Sequence, residues 1–294
     1  MNKGGKLFIL MLVSIATLSS CGQFNSIVKS ADYSYRYEAA KQYYADGKYT
    51  KAVVLLQDVI AQLKGTDKGE ESLYLLGLSA YKARDYESAA NFLKKYYETY
   101  NNGLYTLDAR YYNAMAMYKR TPEPKLDQTE TYEAVTAFQN MLELYPQSQY
   151  SKQAQDMIFK LQDKLVEKEY LNAKTYYDLG SYFYNCSFGG NNYEACIITA
   201  ENAMRDYPYS KRREDFAIML LRAKYLLATH SVEARKQERM DAAKEEYYAF
   251  SGEFPESSYM PEAKAIYYKI TGHKADAKAE PSEPKSGNDS TTVK

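Results

Sequence analysis

Tryptophan is absent from this sequence, and the residues that carry most catalytic and metal chemistry are scarce: two histidines and three cysteines in 294 residues. That stock is too small for a His-based hydrolase or a metal cluster, and no HExxH, GxSxG, Walker, GxGxxG or CxxC pattern occurs. Glycine (14) and proline (8) are also few, which excludes collagen-like and low-complexity chains and argues against a turn-dense sandwich or barrel. Basic and acidic residues balance at 38 each, so no charge excess draws the chain to nucleic acid. What is abundant is tyrosine: 33, against 10 phenylalanines. The composition reads as helical and non-enzymatic.

Only one long apolar run exists, Leu7 to Ala16, preceded by Lys3 and Lys6. At roughly ten residues it is too short to span a bilayer and has the form of an export signal. It leads into Leu18-Ser19-Ser20-Cys21-Gly22, a string that resembles the lipobox of bacterial lipoproteins. The resemblance implies cleavage before Cys21, which then carries covalent lipid; several acyl chains on one residue anchor stably where a single chain does not. Residues 1–20 are therefore expected to be a signal peptide and 21–32 a lipidated linker. No Asp follows Cys21 directly and no acidic run follows it, so by resemblance to known lipoprotein sorting the expected address is the periplasmic face of the outer membrane.

From Tyr33 onward the sequence repeats itself. A small residue is followed by apolar residues four and seven positions later and then by a breaker. The five copies are Ala52-Leu56-Val59-Lys64, Ala89-Leu93-Tyr96-Asn101, Ala134-Phe138-Met141-Pro146, Cys196-Ala200-Ala203-Pro208 and Ala243-Tyr247-Phe250-Pro255. Upstream helices show at Leu73-Leu76-Gly77-Ala80 and Tyr176-Leu179-Gly180-Phe183, in each case at i, i+3, i+4 and i+7, one face of an α-helix. Looser copies start at Arg36 and Tyr111. The pattern resembles the tetratricopeptide repeat, in which small residues let paired helices approach and proline ends the second helix. The expected fold is all-α, a tetratricopeptide-repeat solenoid of about five helix pairs over residues 33–273. Repeats 1–3 are assigned to 33–146, repeats 4–5 to 147–273, and a disordered polar tail to 274–294. The copies are unequally spaced: an insert carries Pro122 and Pro124, and a long helical stretch at residues 152–169 precedes the fourth copy. The register of the fifth copy's first helix stays open.

Tyr145-Pro146-Gln147-Ser148-Gln149-Tyr150, Tyr207-Pro208-Tyr209-Ser210 and Phe254-Pro255-Glu256-Ser257-Ser258-Tyr259 place a serine two after each proline, where it is expected to cap the next helix. Together with the lipobox, the repeats, Arg205-Asp206-Tyr207-Pro208, and Glu169-Tyr170 followed by Tyr176-Tyr177, these junctions resemble the BamD family of lipoproteins. The tyrosine-rich style and the tail resemble Bacteroidetes members. The resemblance implies a scaffold of the outer-membrane β-barrel assembly complex. Its partners would be unfolded outer-membrane proteins at the N-terminal repeats, a POTRA domain of a BamA-like barrel subunit at the C-terminal repeats, and other assembly subunits. It implies no cofactor beyond the lipid on Cys21. The alternative is a pilotin-like or cell-wall-associated repeat lipoprotein; a SusD-like glycan binder would need a longer chain.

By the register of such repeats, the groove side of the first helices carries Tyr37, Lys41 and Tyr44, then Tyr74, Leu78 and Tyr81, then Tyr112 and Lys119. Tyrosine offers a flat contact at low rotamer cost plus a hydroxyl, which suits an extended peptide with aromatic side chains and a terminal carboxylate. About half of these residues are expected to be core instead. Arg212, Arg213, Arg222, Lys224 and Arg235 cluster in the last two copies, where a solvated face is the ordinary reading. Cys186 and Cys196 flank the fourth hairpin's loop and are either a bridge, in an oxidising compartment, or two buried thiols. His230 and His273 read as solvated or capping residues, and Asp289-Ser290-Thr291 weakly resembles a glycosylation acceptor.

Overall fold

The computed structural model describes residues 23–180 and 191–272; Cys21, Cys186, His273, the signal segment and the tail lie outside them. Residues 23–28 are helical. Eleven further helices follow among the described residues: α1 (Tyr33–Ala45), α2 (Tyr49–Val59), α3 (Asp67–Lys82), α4 (Tyr86–Thr99), α5 (Thr106–Arg120), α6 (Thr129–Leu144), α7 (Ser151–Leu179), α8 (Asn192–Asp206), α9 (Arg213–Thr229), α10 (Glu233–Glu253) and α11 (Met260–Thr271). No strand occurs among the described residues, and none of their helices is long and apolar enough to cross a membrane.

The chain forms two compact units, residues 1–168 and 169–294. The division falls inside α7, so residues 151–168, grouped by sequence with the C-terminal repeats, belong to the first unit. In that unit α1/α2, α3/α4 and α5/α6 are antiparallel hairpins, and each first helix also touches the first helix of the next hairpin. The second unit repeats the scheme with α9/α10, against which α8 and α11 pack. This is the stacking rule of tetratricopeptide repeats.

Local chemistry explains the helix ends. Thr66 sits in extended backbone and its side chain accepts from Gly69 N–H, capping α3, whose first turn adds Asp67 and Glu70 and whose last adds Lys82; each charge faces the helix-dipole end that favours it. The α1–α2 turn closes with Lys48 N–H to the Tyr43 carbonyl and Gly47 N–H to the Tyr44 carbonyl, the paired bonds of a Schellman cap. Gly47 takes the left-handed conformation there, and Arg84 adopts it in the matching α3–α4 turn. Four second helices leave by one route: Tyr100, Tyr145, Tyr207 and Phe254 have φ of −119, −135, −129 and −127° with ψ of 68, 63, 64 and 59°. Proline follows three of them and disfavours the α-helical region for the residue before it, which ends the helix there; Tyr100 takes the same exit before Asn101.

The repeat anchors form the cores. Ala52, Leu56, Val59, Ala89, Leu93, Tyr96, Ala134, Phe138, Met141, Cys196, Ala200 and Ala243 are fully buried, while Tyr247 is half-buried beside Phe250. Gly77 permits the expected close approach: a Cβ there would stand 2.6 Å from Leu93 Cγ. Gly180 differs from the expectation. It ends α7 at φ +47° and lies against the Tyr193 ring, so it is a helix terminus packed on α8, not a mid-helix contact. The stretch at 152–169 and the first helix of the fourth copy are likewise one continuous helix, α7, because residues 151–179 contain neither glycine nor proline.

The serines after the prolines do not cap helices. Ser210 Oγ accepts from Arg212 N–H at 3.0 Å and Ser257 Oγ from Tyr259 N–H at 2.9 Å, closing short turns before α9 and α11, which lack side-chain caps. Ser148 Oγ bonds Ser151 Oγ instead. The residue four after proline does the tethering. Tyr150 donates to Asp108 near the start of α5 and Tyr259 to Asp215 near the start of α9. Arg212 holds that place after Pro208, lying over the Tyr170 ring at 4.2 Å and binding Asp215.

Candidate functional site

The three first helices of unit 1 bring a run of tyrosine rings together. Tyr44 meets Tyr49 edge-on at 5.5 Å, Tyr81 meets Tyr86 at 5.6 Å and Tyr112 at 5.3 Å, and Tyr112 meets Tyr111 at 5.3 Å. Two stacks lie beside them, Tyr74 on Tyr105 (4.4 Å) and Tyr111 on Tyr150 (4.0 Å). Edge-on and stacked pairs of this kind hold rings in fixed orientations.

Burial divides the eight groove candidates. Tyr37, Tyr74 and Leu78 are only 2, 8 and 7% exposed, so they are core side chains: first helices touch one another in this stack, and a ring pointing between them is covered. Lys41, Tyr44, Tyr81 and Tyr112 are half-buried and Lys119 is exposed; these five form the accessible lining. Burial pushes the Tyr81 phenol up to about 12, and burial, then neighbouring tyrosines, raises Tyr44. The Tyr44 and Tyr81 phenols are therefore neutral hydroxyls at physiological pH.

Lys41 is not an available cation. Its Nζ lies 2.8 Å from Glu71 Oε1 and donates to Tyr37 Oη at 3.3 Å, while Tyr37 donates to Glu71 Oε2. Burial alone would raise the Glu71 carboxyl; the bonds from Lys41 and Tyr37 outweigh it and leave it below the usual carboxylate range. A carboxylate already occupies the position that a peptide terminus would take on Lys41.

Glu70 is a second anchor beneath the rings, accepting from Tyr96 Oη at 2.6 Å and Leu104 N–H at 2.8 Å. Glu70, Glu71 and Asp108 escape a reading by periodicity because their tyrosine partners belong to other segments, Tyr96 and Tyr37 to other helices and Tyr150 to a junction. The terminal tyrosine of the Pro-x-Ser-x-Tyr junctions, paired with an aspartate near the start of the preceding first helix, was the available signal.

In unit 2 four of the five clustered cations are committed internally. Arg212 pairs with Asp215, Arg213 with Glu253, Arg222 bidentately with Glu262, and Lys224 with Glu201 and Glu246. Charge reversal at these positions would break helix-to-helix contacts. Hydrogen bonding from Arg222 holds the Glu262 carboxyl below its ordinary range, against burial. A depressed folded pKa adds stability above the unfolded carboxylate pKa, and that stability is lost as pH falls through the folded value. Both partners are partly exposed, so Glu262→Gln is expected to lower stability by about 0.5–1 kcal/mol at neutral pH. The difference between urea midpoints of the two chains should shrink as pH falls below the ordinary carboxylate range and through the folded value; a difference constant with pH would refute the linkage.

His230 ends α9 with Nδ1 2.8 Å from the Leu226 carbonyl, the expected capping role. Cys196 is a buried free thiol, pushed up to about 12 by burial; its candidate partner Cys186 is outside the described residues.

Among solved structures the chain is similar to a Podosopora anserina kinesin light chain with nearly identical TPR-like repeats, at 13% identity and TM-score 0.31, covering 81% of this chain and 95% of the other. No curated protein matches. Residues 29–187, more than half of the sequence, match the YfiO family, described as outer membrane lipoprotein. The chain belongs to the YfiO family of outer-membrane lipoproteins.

Proposed function

We propose that this protein is a non-enzymatic scaffold of outer-membrane β-barrel protein assembly, held on the periplasmic face of the outer membrane by lipid on Cys21. The observation that carries the reading is the tyrosine lining of unit 1, where Tyr44, Tyr81 and Tyr112 present rings and hydroxyls from the first helices of three successive hairpins. Such a surface recognises extended polypeptide by ring contact and backbone hydrogen bonding, with little dependence on charge. Unfolded outer-membrane protein segments would occupy it, and unit 2 would dock a POTRA domain of a barrel-forming subunit. Family membership supports the lipoprotein part of this reading, and the ring geometry supports the peptide part.

Affinity isolation from intact envelope, with the lipid on Cys21 retained, should recover a barrel subunit bearing POTRA domains. Recovery of a secretin would favour the pilotin-like alternative and sink the assembly role. In purified form, Tyr81→Ala combined with Tyr112→Ala is expected to weaken binding of an aromatic-rich outer-membrane protein peptide by about thirtyfold, on the order of one kcal/mol per ring contact. Tyr209→Ala, at a residue 99% exposed in unit 2, should leave it unchanged; equal loss from both would refute the groove.

A further inference from the structure

The segment that follows the anchor has little slack. Ile27 is 6% exposed and packs with Tyr37, Ala40, Leu55 and Leu56, while Phe24 lies edge-on to Tyr43 at 5.6 Å. Residue 24 thus sits at the end of α1 and residue 30 returns to its start, so the helical residues 23–28 run antiparallel to α1. The described residues therefore begin beside the α1–α2 turn. From Cys21 to Phe24 is three residues, a reach of about 11 Å at full extension. Whatever holds Cys21 holds that turn close by.

The turn is also the place where rings and ammonium groups meet. Lys51 Nζ lies 5.2 Å from the Phe24 ring and 5.4 Å from Tyr43, Lys48 Nζ lies 5.7 Å from Tyr43, and Tyr49 adjoins across Tyr44. Asp46 stands among them, paired with Lys48 at 3.0 Å. Aromatic rings with a polar tip concentrate at the headgroup level of a bilayer, and lysine lays its methylenes on apolar surface while its ammonium reaches phosphate.

We propose that the α1–α2 turn, with Phe24, Tyr43, Tyr49, Lys48 and Lys51, is seated in the phospholipid headgroup layer of the membrane that carries the chain's own anchor. This rests on acylation of Cys21, argued above from the lipobox and the family. The anchor and the first repeat then act as one body: the lipid sets distance, and the ring-and-lysine seat sets the orientation in which the groove of unit 1 is presented.

The test uses the full chain, processed and acylated in cells, its lipid verified by intact mass and reconstituted into phosphatidylethanolamine–phosphatidylglycerol vesicles. Benzoylphenylalanine replaces Tyr49 in one version. In two others it replaces Tyr35, in the first turn of α1, or Leu104, in the loop before α5, which are 50 and 81% exposed. On illumination, phospholipid adducts at Tyr49 are expected to exceed those at either control by roughly fivefold or more, and Lys48→Glu with Lys51→Glu to remove most of that excess. An acylated chain labelled equally at all three positions overturns the seat alone. A mass without acyl chains on Cys21 overturns the anchor and the seat together.

Discussion

Gly69→Ala is expected to cost unit 1 about 3 kcal/mol, the upper end of what overpacking ordinarily costs. A Cβ at this position would lie 2.0 Å from the Leu63 carbonyl oxygen and 2.7 Å from its carbon. Both are backbone atoms, so no rotamer change relieves the clash. The Leu63 carbonyl also accepts from Thr66 Oγ1 at 2.7 Å, and Thr66 in turn receives Gly69 N–H, so moving the loop also removes the cap of α3, worth about 1 kcal/mol. Two other glycines calibrate the result. Gly77→Ala meets a side chain, Leu93, which has some freedom to move, and about 1 kcal/mol of helix propensity offsets the crowding; its net cost should be smaller. Gly252→Ala in α10 meets nothing within 4 Å and should stabilise by about 0.5–1 kcal/mol. Urea unfolding of the three variants should return that order. Equal midpoints for Gly69→Ala and Gly252→Ala would refute the packing account.

The second large effect is at Phe138. Its side chain is fully buried in the core that joins α5, α6 and the first part of α7, among Tyr111, Ala114, Met141, Ala154 and Leu161. Truncation to alanine removes the ring's burial and leaves a cavity, a loss of about 3–5 kcal/mol, comparable with the whole stability of many domains. Hydrogen exchange should show lost amide protection in α5 and α6 first. Phe159→Ala, on α7 and 57% exposed, should stay within about 0.5 kcal/mol of the parent. Similar losses from the two would mean that Phe138 is not where the third hairpin's stability resides.

Much of this architecture was legible because the second helices carry a strict small-apolar-apolar spacing. Ala52, Ala89 and Ala134 are each fully buried at the head of that spacing. The groove was less legible. Tyrosine serves both as filler and as surface, and at Tyr37 and Tyr74 the filler role won because first helices of successive hairpins pack directly on one another. The serine junctions misled for another reason: a serine two residues before a turn's end and a serine at a helix cap look alike until the helix start is known. The continuity of α7 was written in the absence of glycine and proline, and was obscured by fitting that stretch to the repeat. Gly69 carried no periodic signal. It answers to a carbonyl in a loop, and loops of this kind are invisible to patterns of hydrophobicity.

The shared exit at Tyr100, Tyr145, Tyr207 and Phe254 makes the joints interchangeable. Since each departs along the same trajectory from an i−4 bond of 2.8 to 2.9 Å, the length of whatever follows is decoupled from the direction in which it starts. Loops of quite different size can then be spliced in downstream without re-aiming the helix already laid down. Exchanging the residues around Asn101 for a Tyr-Pro junction should accordingly leave the preceding hairpin untouched, as swapping couplings leaves a pipe in place.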